Sequence, residues 1–232
     1  MIPWLQDDDA FPPIEEALES PNGLLCAGGD LSPGRLLAAY SHGIFPWFSE
    51  GEPILWWSPD PRMVLFPGEL KVSRSLRKRV EHGTYELTAD TAFRRVMEEC
   101  ARPRRGQSGT WIVPEMIEAY TALHARGLAH SVEAWREGRL VGGLYGVALG
   151  RVFFGESMFS RSPDASKVAL VELVRRLREK GFRLIDCQQA TAHLASLGAR
   201  EIPRARFARL LQESIQYPLT GERWSPPNGP RG

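Results

Sequence analysis

Ser131-Val132-Glu133-Ala134-Trp135, Leu140-Val141-Gly142-Gly143-Leu144-Tyr145-Gly146-Val147-Ala148 and Arg151-Val152-Phe153-Phe154-Gly155-Glu156-Ser157 follow one another with only short joints between them. Each run carries β-branched and aromatic residues that suit a pleated surface. The joints carry Glu137-Gly138 and Leu149-Gly150, both turn signals, so the three runs predict an antiparallel meander. Ser162-Pro163 then opens a long helix. Its apolar positions Val168, Val171, Val174 and Leu177 recur at helical spacing until Gly181 stops it. Residues 182–187 read as a short apolar strand, residues 193–197 as a helix and residues 203–215 as a last amphipathic helix. Meander, helix, strand and helix in that order predict an α+β core.

Upstream, the composition changes. Residues 1–62 are dense in Pro, Gly and Trp and poor in basic side chains. Asn22-Gly23 marks a turn before the apolar run Leu24-Leu25-Cys26-Ala27. Ser32 reads as an N-cap with Pro33 at the first helical position and Gly43 as the stop. The aromatic stretches Phe45-Pro46-Trp47-Phe48 and Trp56-Trp57-Ser58-Pro59 follow. This region is expected to form a small N-terminal domain, residues 1–62. The larger domain, residues 63–217, begins with a strand over 63–66. Helices are expected over 74–81, capped by Ser73, over 91–100, and over 114–127 with Ile117, Tyr120 and His124 on one face. The tail, residues 218–232, is rich in Pro and Gly and is expected to be loosely ordered.

The bulk properties narrow the class of protein. Among the 232 residues, 43% are hydrophobic and 25% charged, which suits a soluble globular chain and excludes wholesale disorder. The net charge of +1 says nothing of a nucleic-acid partner, so any such sign must lie in how charge is distributed. Three cysteines, Cys26, Cys100 and Cys187, are widely spaced, and the five histidines lack ligand spacing. Neither a disulfide framework nor a zinc site is expected. The acidic first nine residues do not read as a signal peptide, and no apolar run approaches the ~20 residues of a membrane span. A cytoplasmic monomer is the expectation.

Several residues could carry chemistry. In Asp186-Cys187-Gln188, strand alternation would place Asp186 and Gln188 side by side. The carboxylate could orient the amide, whose oxygen would accept a proton-bearing partner. Equally, the pair could end the strand and cap the next helix. Glu156 sits at the end of the third meander strand, where it could serve a site or pair with Arg151 or Arg161. Trp47, Trp56, Trp57 and Trp111 could be stacking platforms for bases or core residues. Lys71, Arg74, Arg77, Lys78 and Arg79 form one basic group, and Arg94, Arg95, Arg102, Arg104 and Arg105 another. Either could meet a phosphate backbone or be neutralised by Glu81, Glu98 and Glu99. Gly28-Gly29-Asp30 lacks the spacing of a phosphate loop and reads as a turn.

Taken in order, these segments resemble one family. Pro21-Asn22-Gly23-Leu24-Leu25, Gly28-Gly29-Asp30-Leu31-Ser32-Pro33, Gly43-Ile44-Phe45-Pro46-Trp47-Phe48 and Trp56-Trp57-Ser58-Pro59-Asp60-Pro61-Arg62 are similar to the N-terminal signature of leucyl/phenylalanyl-tRNA–protein transferases. Gly109-Thr110-Trp111-Ile112, Gly142-Gly143-Leu144-Tyr145-Gly146, Gly155-Glu156-Ser157-Met158-Phe159-Ser160, Ile185-Asp186-Cys187-Gln188 and Ser196-Leu197-Gly198-Ala199-Arg200 continue the likeness. The resemblance implies a small N-terminal domain and a C-terminal domain of the N-acetyltransferase-like fold. It implies transfer of Leu or Phe, and less readily Met, from Leu-tRNA or Phe-tRNA to proteins with N-terminal Arg or Lys, marking them for degradation. It implies no metal and no coenzyme.

Site roles follow from the same resemblance. Asp186 and Gln188 would be the catalytic pair, and Glu156 would hold the basic acceptor residue. Trp47 and Trp111 would frame the aminoacyl-adenosine. Leu144, Phe153, Met158 and Ile185 would shape the aminoacyl pocket, with Leu144 standing where some members carry Met. The basic helix is read beside this as the tRNA surface, with phosphate contacts from Arg74, Arg77 and Lys78. Two other readings compete. An acetyl-CoA-dependent N-acetyltransferase would need a glycine-bearing pyrophosphate turn, but residues 159–166 contain no glycine. A non-enzymatic RNA-binding module would leave the acidic groups at the strand ends unexplained.

Overall fold

The computed structural model describes residues 2–6, 9–103, 111–216 and 224. The order of elements begins with β1 (Trp4–Leu5), β2 (Leu24–Gly28), α1 (Pro33–Ser41), β3 (Phe45–Pro46) and β4 (Leu55–Trp57). These four strands make one sheet in the order β1-β2-β4-β3. Next come β5 (Arg62–Leu65), α2 (Arg74–Glu81), β6 (Glu86–Ala89), α3 (Phe93–Ala101), α4 (Pro114–Ala125), β7 (Ala129–Arg136), β8 (Arg139–Leu149) and β9 (Val152–Ser160). The chain continues through α5 (Ala165–Glu179), β10 (Leu184–Gln188), α6 (Ala192–Ser196), β11 (Arg200–Ile202) and α7 (Arg204–Ile215). The strands from β5 onward build a seven-stranded sheet in the order β11-β5-β10-β9-β8-β7-β6.

The expected meander is β7-β8-β9, joined at Glu137-Gly138, where both residues have positive φ, and at Gly150. Two successive positive φ angles match the right-handed twist of the strands they join. β10 pairs parallel with β9, and α5 supplies the crossover that a parallel pair requires. Every other pair in this sheet is antiparallel.

Alternation along the strands feeds two cores. Leu144, Phe153 and Ile185 point toward α2 and α5. Tyr145, Val147, Val152 and Phe154 point toward α1, α3, α4, α7 and the first sheet. The second core runs without a break from Trp56 and Tyr40 to Phe154 and Phe207. Gly146 is a point of close approach between strands. A Cβ there would meet the Phe154 carbonyl at 2.1 Å and the Phe153 ring at 2.7 Å.

Two helix starts hold at their caps, whereas α5 begins at Ala165 after Asp164 in the left-handed region, φ 63°, and not at Ser162-Pro163. The Ser32 hydroxyl accepts from Arg35 N–H and the Ser73 hydroxyl from Leu76 N–H. Two expected faces are shifted. In α4 the fully buried residues are Met116, Ala119, Tyr120 and Leu123, while Ile117 and His124 are half-buried. In α5 Val171 is half-buried, and Leu170 and Leu173 point inward instead. The helix there packs on the sheet with a wider stripe than four apolar positions define. Most of the tail lies outside the described residues, as do Arg104, Arg105, Gly109 and Thr110. Trp224 is described, and it is buried rather than loose.

Candidate active site

The register of β9 and β10 holds Leu184 to Val152, Ile185 to Phe153 and Asp186 to Phe154, and ends there. Two residues further along each strand, side chains replace the backbone ladder: Gln188 Nε2 donates to Glu156 Oε1 at 3.0 Å. A cavity of about 480 Å³ opens beside this bridge. Leu65, Leu144, Phe153, Met158, Leu170, Leu173 and Ile185 give it an apolar wall. Glu156, Gln188, Gln189, Thr191 and His193 give it a polar side, and Trp47 and Trp111 contribute aromatic surface. The sequence-predicted residues Glu156, Gln188, Trp47, Trp111, Leu144, Phe153, Met158 and Ile185 therefore converge on one cavity.

Asp186 does not join them in the wall. The expected alternation fails because β10 is irregular against β5 between Asp186 and Gln188, and Gln188 adopts φ 62°. That left-handed conformation costs a non-glycine residue about 1–3 kcal/mol and persists only where its surroundings impose it. Asp186 imposes it here: its Oδ1 accepts the Gln188 backbone N–H at 2.9 Å. The Gln188 amide is oriented by Glu156 instead, which leaves its oxygen directed to other donors.

Asp186 is fully buried and has a charged partner behind it. Arg62 donates to both carboxylate oxygens, at 2.8 Å from Nε and 2.7 Å from Nη2. Such two-point pairing is the strong geometry for guanidinium and carboxylate. The Arg62 guanidinium lies between the rings of Phe45 and Phe207, 4.8 and 4.6 Å from their centroids. Its Nη1 has no hydrogen-bond partner among the described residues, and the flanking π faces offset that loss.

Glu156 accepts from three donors: Gln188 Nε2, the Tyr40 hydroxyl at 2.8 Å and the Tyr120 hydroxyl at 3.3 Å. The Tyr40 and Tyr120 hydroxyls also lie within hydrogen-bond distance of each other, and with one proton apiece they share these contacts rather than making all three at once. Burial pushes the Glu156 carboxyl up from its ordinary 4.5 to about 8, and the charge of Asp186 adds to this. The bonds from Tyr40, Tyr120 and Gln188 favour the anion but do not cancel burial. Burial also pushes the phenols of Tyr40, Tyr120 and Tyr145 well above their usual value. It does the same to the Cys187 thiol, so this cavity residue is no activated nucleophile.

Sequence reasoning missed Arg62, Tyr40 and Tyr120. A signal existed for Arg62, since an arginine opening an apolar strand needs a buried acid. The tyrosines looked like helix-core residues and are so, except at their hydroxyls. Of the other tryptophans, Trp56 donates to the Gly28 carbonyl at 2.9 Å and Trp57 to the Trp47 carbonyl at 2.7 Å. Both are buried framework, not stacking platforms. Glu156 does not pair with Arg161, which binds Glu99.

On α2, Arg74, Arg77 and Lys78 are exposed and form no ion pair among the described residues, whereas Arg79 reaches Asp164 at 3.4 Å. The described members of the second basic group are occupied, with Arg94 on Glu98 and Glu118, Arg102 on Glu99 and Arg95 over Trp135. Among the described residues no three His, Cys, Asp or Glu side chains gather as a metal site would.

Comparison with known proteins shows the family. Residues 64–212 match the model for the leucyl/phenylalanyl-tRNA protein transferase family, and residues 29–60 match the model for its N-terminal domain. A leucyl/phenylalanyl-tRNA–protein transferase of Nitrosospira multiformis is 66% identical over 224 residues, 97% of each chain. One from Stutzerimonas stutzeri is 64% identical over 223 residues, 96% of this chain and 99% of its own. Among solved structures, the C-terminal domain of a lysylphosphatidylglycerol synthetase homologue from Agrobacterium fabrum aligns with TM-score 0.41 at 13% identity, over 81% of this chain and 58% of that one. A GCN5-related N-acetyltransferase from Kribbella flavida aligns with TM-score 0.36 at 13% identity, over 73% and 60%. With two family models tiling most of its length and relatives above 60% identity end to end, the chain belongs to the leucyl/phenylalanyl-tRNA protein transferase family.

Proposed function

We propose that this enzyme transfers Leu or Phe, and less readily Met, from aminoacyl-tRNA to the α-amine of proteins beginning with Arg or Lys. The tag would mark them for degradation in the cytoplasm, and the enzyme would act as a monomer. The observation that carries the reading is the Gln188 amide, tied by its nitrogen to Glu156 at the rim of an apolar cavity.

The chemistry needs little more. The acceptor nitrogen attacks the ester carbonyl carbon, a C–N bond forms, the C–O bond to the ribose breaks, and the proton the amine loses is balanced by one gained on the departing ribose oxygen, which leaves as a hydroxyl. An α-amine has a pKa near about 7.7–8.0, so a useful fraction is uncharged at neutral pH without a strong base. Positioning supplies the rest. Gln188 Oε1 accepts a hydrogen bond from the attacking amine, and Asp186 holds the turn that aims it. Trp47 and Trp111 flank the adenosine, while Leu144, Phe153, Met158 and Ile185 enclose the aminoacyl side chain. Glu156 meets the acceptor's cationic side chain. With its carboxyl near 8, Glu156 keeps its proton at neutral pH until the acceptor binds, so no buried anion stands without a cationic partner. An arriving guanidinium or ammonium would draw the proton off and pair with the carboxylate that remains.

The test is transfer from Leu- or Phe-tRNA to a peptide beginning with Arg, beside the same peptide with acetyl-CoA. Labelled peptide from the charged tRNA supports the reading. Acetylation without aminoacylation would overturn it.

A further inference from the structure

Trp224 lies in a Pro- and Gly-rich stretch that carries no part of the machinery above, yet its side chain is only 7% exposed. Its indole stacks on His130, with centroids 4.1 Å apart and planes 5° from parallel. Phe182 meets it edge-on at 6.3 Å. Its backbone is clamped at both polar groups: the N–H donates to Asp90 Oδ2 at 2.7 Å, and the carbonyl accepts from Arg176 Nη1 at 3.0 Å. These anchors are fixed in turn, Asp90 by His130 Nδ1 at 2.9 Å and Arg176 by Glu172 at 2.7 Å. So many independent contacts on one residue hold the ring in a single place.

What the ring touches is Phe153, with centroids 5.8 Å apart. Phe153 is fully buried and forms part of the apolar wall of the cavity. The Phe153 ring also lies so close to Gly146 that a Cβ there would meet it at 2.7 Å. The phenyl ring thus has both Gly146 and Trp224 among its neighbours.

We propose that Trp224 is a specificity-determining positioning residue: it backs Phe153 and so sets the depth of the aminoacyl pocket. This rests on the reading of the cavity as the aminoacyl site. Trp224 does not touch the donor and acts only through Phe153. Without it, a void opens behind the phenyl ring, the ring withdraws and the pocket deepens. A Leu side chain then loses contacts that a Phe side chain, being longer, keeps.

The experiment measures KM and kcat for Leu-tRNA and Phe-tRNA in the full-length wild type, Trp224→Ala and Trp224→Phe. Trp224→Ala is expected to raise KM for the Leu donor about tenfold relative to the Phe donor, the scale on which one methylene of mismatch discriminates. kcat at saturation stays within about twofold, because the reacting atoms are untouched. Trp224→Phe, which can still stack on His130 and reach Phe153, keeps the wild-type ratio. Should Trp224→Ala fail to fold, Trp224→Leu carries the same test, with a smaller shift in the same direction. A Leu-to-Phe ratio unchanged in whichever of these variants folds overturns the proposal, as does an equal loss for both donors. A wild type that uses neither donor would defeat the transferase reading itself, and this inference with it.

Discussion

Asp186 and Arg62 are both fully sealed from solvent, and each is the other's charged partner. Replacing Asp186 with Ala strands the Arg62 charge and frees the Gln188 turn at once. Breaking one side of a buried pair costs about 3–5 kcal/mol. Turnover per folded molecule is expected to fall about 10²-fold or more, as for loss of a group that positions an acid–base partner. Denaturant unfolding and single-turnover transfer of Asp186→Ala check the two effects separately, and unchanged turnover would make Asp186 purely structural. At this scale the sequence was half legible. Polar residues ending an apolar strand stand out, but nothing about a glutamine announces a positive φ, so the direction of Gln188 was not legible.

Glu156 gives the pH dependence. Its carboxyl is raised from 4.5 to about 8 in the fold, so the native state binds the proton more tightly than the unfolded chain. The associated stability is fully present below pH 4.5 and is lost as pH rises through about 8. Glu156→Gln removes the titration. The stability of wild type minus that of Glu156→Gln should therefore fall between these two values and be level above them, measured by urea unfolding across the range. A difference that does not change with pH would show that the carboxyl is not shifted.

Among elements, the long ones were legible and the short ones were not. α2, α3, α5 and α7 advertise a cap, an apolar stripe or a stop. β1, β3 and β11 have two or three residues each, too few for any period to emerge, and tertiary pairing makes them strands. α2 buries Leu76 and turns Arg74, Arg77 and Lys78 outward without carboxylate partners among the described residues. An enzyme that takes more than one tRNA gains affinity chiefly from phosphates. Changing Arg77 and Lys78 together to Ala is expected to weaken Leu- and Phe-tRNA binding alike. It should flatten the slope of log affinity against log salt by about one to two units. Transfer from a short aminoacyl-adenosine should be nearly untouched, and a wild-type salt slope in the double mutant would remove α2 from the tRNA surface.

At the scale of the molecule, the meander and its crossover helix announced the large sheet, and the Pro-, Gly- and Trp-rich start announced a separate smaller unit. How closely the two would be fused was not legible. The aromatic residues that join them, Phe45, Trp56 and Tyr40 among them, have no periodicity that says which sheet they will serve. The same fusion builds the cavity: Phe45 and Pro46 come to it from the first sheet and Trp47 from just beyond β3, and its remaining wall comes from the second sheet and its neighbouring loops and helices.

If the donor seats in that cavity as proposed, it would touch both sheets and by linkage would become a fastener between them. At a hundred times its Kd it adds about 2.7 kcal/mol to the folded state. Because that energy is delivered across the seam, it does not spread evenly through the fold. Amide hydrogen exchange should slow most in β3, β4 and the ends of β9 and β10, and least in the far strands β6 and β7. Uniform protection across both sheets would mean that the ligand stabilises the molecule without stitching its halves together.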